Sequence, residues 1–161
     1  PTYIIRSPAS PAEWETVKQM LTDYRHEFND DACFTSFEEE MAHIETLYAK
    51  PGKAKLIAVT ESEEIAGCVA YQEFAPRIAE MKRLYVTPHH RRHQVGRMLT
   101  EAIIALARER GYTQIYLDTM PVMKAAQSLY EKLGFMVIPP YNHQELNGMI
   151  CYGLDLKSYR L

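Results

Sequence analysis

The densest chemistry in the chain lies at Arg91-Arg92-His93-Gln94-Val95-Gly96-Arg97. This basic segment sits between a strand-like run, Glu80 to Val86, and the most regular amphipathic pattern in the sequence. A strand, a short basic loop and a helix start make a phosphate cradle, because the first helical turn carries unpaired N–H groups and the positive end of the dipole. Arg91, Arg92 and Arg97 add charge and forked donors suited to phosphate oxygens. Gly96 lets a ligand approach the backbone closely. The two familiar glycine-rich phosphate loops do not fit: one ends in Gly-Lys-Ser/Thr, and the dinucleotide loop needs three spaced glycines. Taken alone, the segment also reads as a solvated basic helix start. His89, His90 and His93 read as part of a solvated basic turn, with no metal expected, since no carboxylate or cysteine within the segment completes a ligand set.

The elements that must position this loop follow from periodicity. Thr2 to Arg6 is a short strand. Ser10, Pro11 and Glu13 supply an N-cap, a first-turn proline and a capping-box partner for a helix striped by Trp14, Val17, Leu21, Tyr24 and Phe28. Asn29, Asp30 and Asp31 break that helix. Ser36 and Glu39 form a second capping box, and Phe37, Met41, Ile44 and Tyr48 stripe a second helix that Pro51-Gly52 ends. Strands are expected at about 54–60, 65–74 and 78–86. Val95, Met98, Leu99, Ala102, Ile103 and Leu106 make the core face of a third helix, with Gly111 at its end. Gln114 to Asp118 is a strand; Met123, Ala126, Leu129, Tyr130 and Leu133 stripe a fourth helix, which Gly134-Phe135 closes. Met136 to Ile138 and Met149 to Leu156 are the last strands. The order β α α β β β α β α β β predicts an α/β (mixed α+β) domain whose mixed central sheet carries helices on both faces.

At 161 residues the chain, 1–161, reads as a single domain with a sizeable core. A net charge of −3 argues against a nucleic-acid partner, and the local cluster of arginines suits one small anionic ligand. Cys33, Cys68 and Cys151 are odd in number and lack zinc or redox spacing, which reads as free thiols in a reducing cytoplasm. No membrane span or leader is visible, and an opening Pro1 fits removal of an initiator methionine.

Two motifs resemble one family. Arg91 to Gly96 is similar to the Gln/Arg-x-x-Gly-x-Gly/Ala loop of the GCN5-related N-acetyltransferases (GNAT), with Gln94 in place of the middle glycine. Ala126-Gln127-Ser128-Leu129-Tyr130-Glu131-Lys132-Leu133-Gly134-Phe135 matches the family's Ala-x-x-Leu-Tyr-x-Lys-x-Gly-Phe. The motif-bearing resemblance covers about residues 55–156. It implies the GNAT acyl-CoA N-acyltransferase fold and acetyl-CoA as co-substrate. The implied reaction is transfer of the acetyl group to a primary amine of a small molecule or peptide by direct attack. A monomer and a homodimer both stay open. A non-catalytic acyl-CoA-binding sensor on the same fold is the alternative.

The resemblance also implies roles. Amides and side chains of Arg91, Arg92, Gln94, Val95, Gly96, Arg97 and Met98 would hold the coenzyme pyrophosphate. A glutamine at position 94 cannot adopt a positive φ cheaply, whereas a helical backbone there would cost little. A bulge would splay the strand at 80–86 from its neighbour, so that Leu84, Tyr85 and Val86 offer backbone groups to the pantetheine arm. Glu80, in Ala79-Glu80-Met81, stands where some members carry the glutamate that deprotonates the amine; a solvent-facing charge is the competing reading. Tyr130 stands where a hydroxyl protonates the leaving thiolate, although its spacing equally predicts a core tyrosine. Met123 replaces a common asparagine and would pack against pantetheine. For the acceptor site, Glu38, Glu39 and Glu40 read as a solvated helix start, with attraction of a cationic amine as the alternative; Tyr24, Phe34, Tyr141 and His143 are candidate lining residues.

Overall fold

The computed structural model describes residues 2–28, 36–142 and 148–160. Seven strands form one sheet: β1 (Tyr3–Arg6), β2 (Lys53–Thr60), β3 (Ile65–Ala75), β4 (Ile78–Val86), β5 (Gln114–Thr119), β6 (Met136–Val137) and β7 (Ile150–Asp155), in the spatial order β1-β2-β3-β4-β5-β7-β6. The helices are α1 (Pro11–Phe28), α2 (Phe37–Ala42), α3 (Ile44–Tyr48), α4 (Val95–Glu109) and α5 (Lys124–Lys132). Every neighbouring pair of strands is antiparallel except β4 and β5, which α4 joins as a parallel crossover. The expected mixed sheet with helices on both faces is therefore what forms.

Each face of the sheet has its own core. Val95, Leu99, Ile103 and Ile104 of α4, with Tyr130 of α5 and Leu133 just after it, pack on Leu56, Val69, Met81, Ile115 and Leu117. Val17 and Leu21 of α1, with Phe37, Ile44 and Tyr48, pack on Ile57, Val59, Cys68 and Tyr85 of the other face. Helix ends follow the sequence signals in three places. Ser10 Oγ accepts the Glu13 N–H at 3.2 Å, while the Glu13 carboxylate takes the Ala9 N–H at 2.7 Å and pairs with Arg6. At the end of α5, the Phe135 N–H bonds the Tyr130 carbonyl (3.0 Å) and the Gly134 N–H the Glu131 carbonyl (3.1 Å), the double closure of a left-handed glycine cap at φ 97°. Gly111 closes α4 in the same way, with φ 92°.

The second helix departs from expectation twice. Ser36 is left-handed (φ 60°) and makes no side-chain cap, so the capping box with Glu39 does not form; an N-cap hydroxyl reaches the helix amides only from extended backbone. The helix is also broken at His43 (φ −131°) into α2 and α3. Unbroken, eight residues would separate Glu40 from Tyr48 by about 12 Å of rise. Across the break the Tyr48 hydroxyl donates to Glu40 Oε2 at 2.8 Å.

Candidate active site

β4 is the element that organises the site. Its register with β3 shifts between the Lys82↔Ala70 and Tyr85↔Cys68 pairs, so two residues, Arg83 and Leu84, oppose one. Arg83 is left-handed at φ 60°, the extra residue of a bulge. A strand alternates faces with period two, and the bulge breaks that alternation. Met81 before it and Leu84 and Val86 after it pack with the α4 core, while Arg83 and Tyr85 turn to the α1–α3 side. Pairing of β4 with β5 stops at Glu80↔Tyr116, although β4 continues to Val86 and β5 to Thr119. The two strands thus part in the middle of the sheet and leave a wedge.

Arg83 is held from the α1–α3 side. Its Nε and Nη2 donate to Glu40 Oε1 at 3.0 and 2.8 Å, with both side chains at most 5% exposed. Burial pushes the Glu40 carboxyl up, but Arg83 and Lys55 more than reverse it, and the net direction is down. Glu40 is therefore no part of a solvated acidic face; Glu38 is exposed and pairs with Arg25 at 2.6 Å.

The loop after β4 makes a short 3₁₀ turn at Pro88–His90 and then enters α4. Gln94 is left-handed (φ 66°), contrary to the helical backbone that its side chain favoured, and Arg92 is too (φ 69°). Each such residue costs about 1–2 kcal/mol, and such strain gathers at functional sites. The Gln94 carbonyl accepts the Met98 N–H at 3.0 Å, so Met98 has no amide to spare, and its side chain packs against the core. The N–H groups of Val95, Gly96 and Arg97 have no carbonyl partner within the helix. A Cβ on Gly96 would lie 3.6 Å from Leu129 and 3.8 Å from Val86, ordinary contact distances, so the fold itself does not demand a glycine. What a side chain there would fill is the space between the end of β4 and α5.

The arginines divide. Arg91 turns away from the loop: it forks onto both Glu27 oxygens of α1 at 2.8 and 3.0 Å, and its Nε donates to the Val86 carbonyl at 3.0 Å. Arg91 thus ties the loop to α1, and it takes up a backbone group expected for the pantetheine arm. Arg92 and Arg97 stay exposed at the helix start, Arg97 beside Glu101. His90 is buried rather than solvated, its Nδ1 2.9 Å from the Tyr3 hydroxyl and its Nε2 against Glu64. Among the described residues no three His, Cys, Asp or Glu side chains are grouped to hold a metal.

Glu80 sits at the point where β4 and β5 part, on the α1–α3 face. Tyr141 donates to its Oε2 at 2.7 Å and Gln72 to its Oε1 at 2.9 Å, so it is a positioned carboxylate rather than a solvent-facing one. Burial and the Glu80 charge push the Tyr141 hydroxyl up, which keeps it a donor. Asp118, beyond the last β4–β5 pair, was not anticipated from the sequence. Burial raises its carboxyl despite a 2.8 Å bond from Asn142, and Glu80 adds to the shift. The only signal for it was alternation along β5, which places Tyr116 and Asp118 on one face.

Tyr130 lies on the other face. Its ring meets Phe135 and Tyr152 at 5.6 and 6.0 Å. Tyr152 pairs with Leu117, the first β5 residue past the parting point. Met123 caps the start of α5 but faces inward, its sulfur accepting from Tyr24 and Thr119 within a cluster that includes Met120 and Met149. Tyr24 stacks on Tyr85 at 5.0 Å. Phe34 and His143 lie outside the described residues, as does Cys33; Cys68 and Cys151 are buried thiols.

The Acetyltransferase (GNAT) family model matches residues 14–135. The chain belongs to the GNAT acetyltransferase family. As a GNAT protein it is an acyltransferase, and its relatives carry that activity in their names. An uncharacterized N-acetyltransferase of Schizosaccharomyces pombe is 32% identical over 92% of this chain and 91% of its own length. N-acetylaspartate synthetase of Danio rerio is 31% identical over 76% of this chain but only 44% of its own length. Among solved structures, a GNAT acetyltransferase of Staphylococcus aureus superposes with a TM-score of 0.78 at 20% identity, covering 96% of this chain and 99% of that one. The PaiA N-acetyltransferase of Thermoplasma acidophilum, in complex with coenzyme A, gives 0.75 at 16% identity, covering 96% and 99%. These last two likenesses are of fold. No helix among the described residues is long and apolar enough to cross a membrane.

Proposed function

We propose that this GNAT protein moves the acetyl group of acetyl-CoA to a primary amine of a small molecule or peptide by direct attack. The observation that carries the reading is the placement of Glu80 and Tyr130 on opposite faces of the sheet where β4 and β5 part. A thioester lying in that gap would meet an amine from the Glu80 side and release its thiolate toward the Tyr130 side. The free amides of Val95, Gly96 and Arg97, with Arg92 and Arg97, suit a pyrophosphate, and the space beside Gly96 leads from there along Val86.

In the reaction, Glu80 takes a proton from the ammonium. The amine nitrogen attacks the thioester carbonyl, the C–N bond forms, and a backbone N–H of Leu84 or Val86 stabilises the oxyanion. The C–S bond then breaks and Tyr130 supplies a proton to the thiolate. Tyr141 and Gln72 hold the base, and burial and the Glu80 charge push the neighbouring Asp118 carboxyl up. A coenzyme-binding module without chemistry has no feature of this site behind it.

Glu80→Gln tests the reading, since glutamine keeps the size and can still accept from Tyr141. A general base contributes about 10²–10⁴-fold, so the acetyl-transfer rate should fall at least a hundredfold with coenzyme affinity unchanged. The acidic limb of the pH–rate profile should vanish. A variant with the full rate and the same profile would show that the proton leaves by water instead.

A further inference from the structure

A cavity of about 350 Å³ opens between α2–α3 and the outer ends of β2, β3 and β4. Its walls include Glu39, His43 and Tyr48; its floor is Lys53, Gln72 and Lys82. That volume falls in the range of small-molecule pockets, roughly 300–1,000 Å³. The cavity adjoins the proposed base. Gln72 lines it while donating to Glu80 at 2.9 Å and accepting from Lys53 at 3.1 Å. Lys82 follows Glu80 by two residues on β4, before the bulge, and shares its face, a spacing of about 7 Å along a strand.

The charge of this cavity is unusual for the chain. The protein carries a net −3, yet the lining here includes three lysines, Lys50, Lys53 and Lys82, against two carboxylates, Glu39 and Glu40. Glu40, the nearest buried carboxylate, is already committed to Arg83 and Tyr48. Lys55 lies behind Tyr48, its ammonium 4.9 Å from the ring centre, and its Nζ is the one buried side-chain nitrogen or oxygen with no hydrogen-bond partner among the described residues. Lys82 faces the cavity and has no hydrogen-bond or ion-pair partner among the described residues. Burial and Arg83 push its ammonium down by more than Glu40 and Glu80 raise it. A half-buried, uncommitted cation in a concave site is a place for an anion.

Resting on the acetyltransferase reading, we infer that the acceptor is a primary amine that itself carries a carboxylate: the amine at Glu80, the carboxylate at Lys82 in the α2–α3 cavity. A free amino acid fits; the ε-amine of a protein lysine, with no carboxylate of its own beside it, does not. A phosphate-bearing amine fits less well. No arginine lines the cavity to fork onto a phosphate, and Lys82, the lining ammonium on the Glu80 face of β4, matches a monoanion.

The test compares acetyl-CoA-dependent thiol release with L-amino acids, the matching amino acid amides and aminoalkyl phosphates. The acids should exceed their amides at least tenfold in kcat/KM, with the difference in KM. Lys82→Met should bring that ratio to within about threefold; if Lys82→Met fails to fold, Lys82→Gln serves. Equal or better use of the amides, preference for the phosphates, or an acid preference that survives both Lys82→Met and Lys53→Met would overturn the inference. Absence of transfer to every amine by a protein that binds acetyl-CoA would instead sink the acetyltransferase reading. The cavity would then be judged by calorimetry with the amino acids alone. Binding at least tenfold weaker in Lys82→Met supports the carboxylate site, and equal or absent binding in the wild-type protein overturns it.

Discussion

Arg83→Met isolates the interaction that anchors the bulge. The two side chains are 4% and 5% exposed, so removing the guanidinium leaves a carboxylate in the interior without its main partner. Breaking a buried pair this way costs about 3–5 kcal/mol. Lys55 remains close enough to act on Glu40, and Tyr48 still donates to it, so the lower end, about 3 kcal/mol, is expected. Methionine meets the same left-handed strain as arginine, so the backbone term cancels. For a chain of this length the loss corresponds to a Tm lower by about 6–12 °C. The pH dependence gives a second check. In the native protein the Glu40 carboxyl is held below its ordinary value, so its contribution is present above about pH 4.3 and is lost as pH falls through the native pKa. In the variant, burial dominates and raises that carboxyl, so the variant loses stability as pH rises above about 4.3. Both effects make the gap widest near pH 7 and narrower toward pH 4. Urea melts at several pH values read it directly. A loss below 1 kcal/mol at pH 7, or a gap that stays constant with pH, would refute the argument that this buried charge pair holds the bulge.

Other outcomes follow from the same geometry. Tyr130→Phe keeps the ring between Phe135 and Tyr152, so the fold should persist while the chemical step slows by about 10²-fold, the low end for general acid catalysis; pre-steady-state transfer at the native rate would leave Tyr130 a core residue only. Gln94→Gly removes left-handed strain from a residue with no side-chain cap, so thermal unfolding should show a gain of about 1 kcal/mol; a loss would mean that the side chain holds the loop. Calorimetry on that variant should find acetyl-CoA affinity within about tenfold of the native protein, and a larger change would count against a tolerated loop departure.

Local signals settled much of this protein. The period of apolar residues marked nearly every element, and the glycine caps of α4 and α5 close where Gly111 and Gly134 predicted. Two motifs, at 91–97 and 126–135, carried the resemblance to the family, because a basic helix start and a capped helix end depend on residues close in sequence. Tertiary structure decided the rest. The family resemblance implied a bulge in the 80–86 strand, but nothing local announces Arg83 as its left-handed residue or Glu40, forty-three positions away, as the charge it meets. Arg91 looked like a phosphate ligand by type and position, but Glu27 of α1 is the charge it meets once the chain is folded. Glu80, Asp118 and Tyr141 come from three separate segments and become one cluster only across the sheet, just as Lys53 and Lys82 share a cavity only through the β2-β3-β4 register. Spacing along the chain fixes which groups lie on one helix or strand; which charges face each other is fixed by pairing and burial, and those are properties of the whole fold.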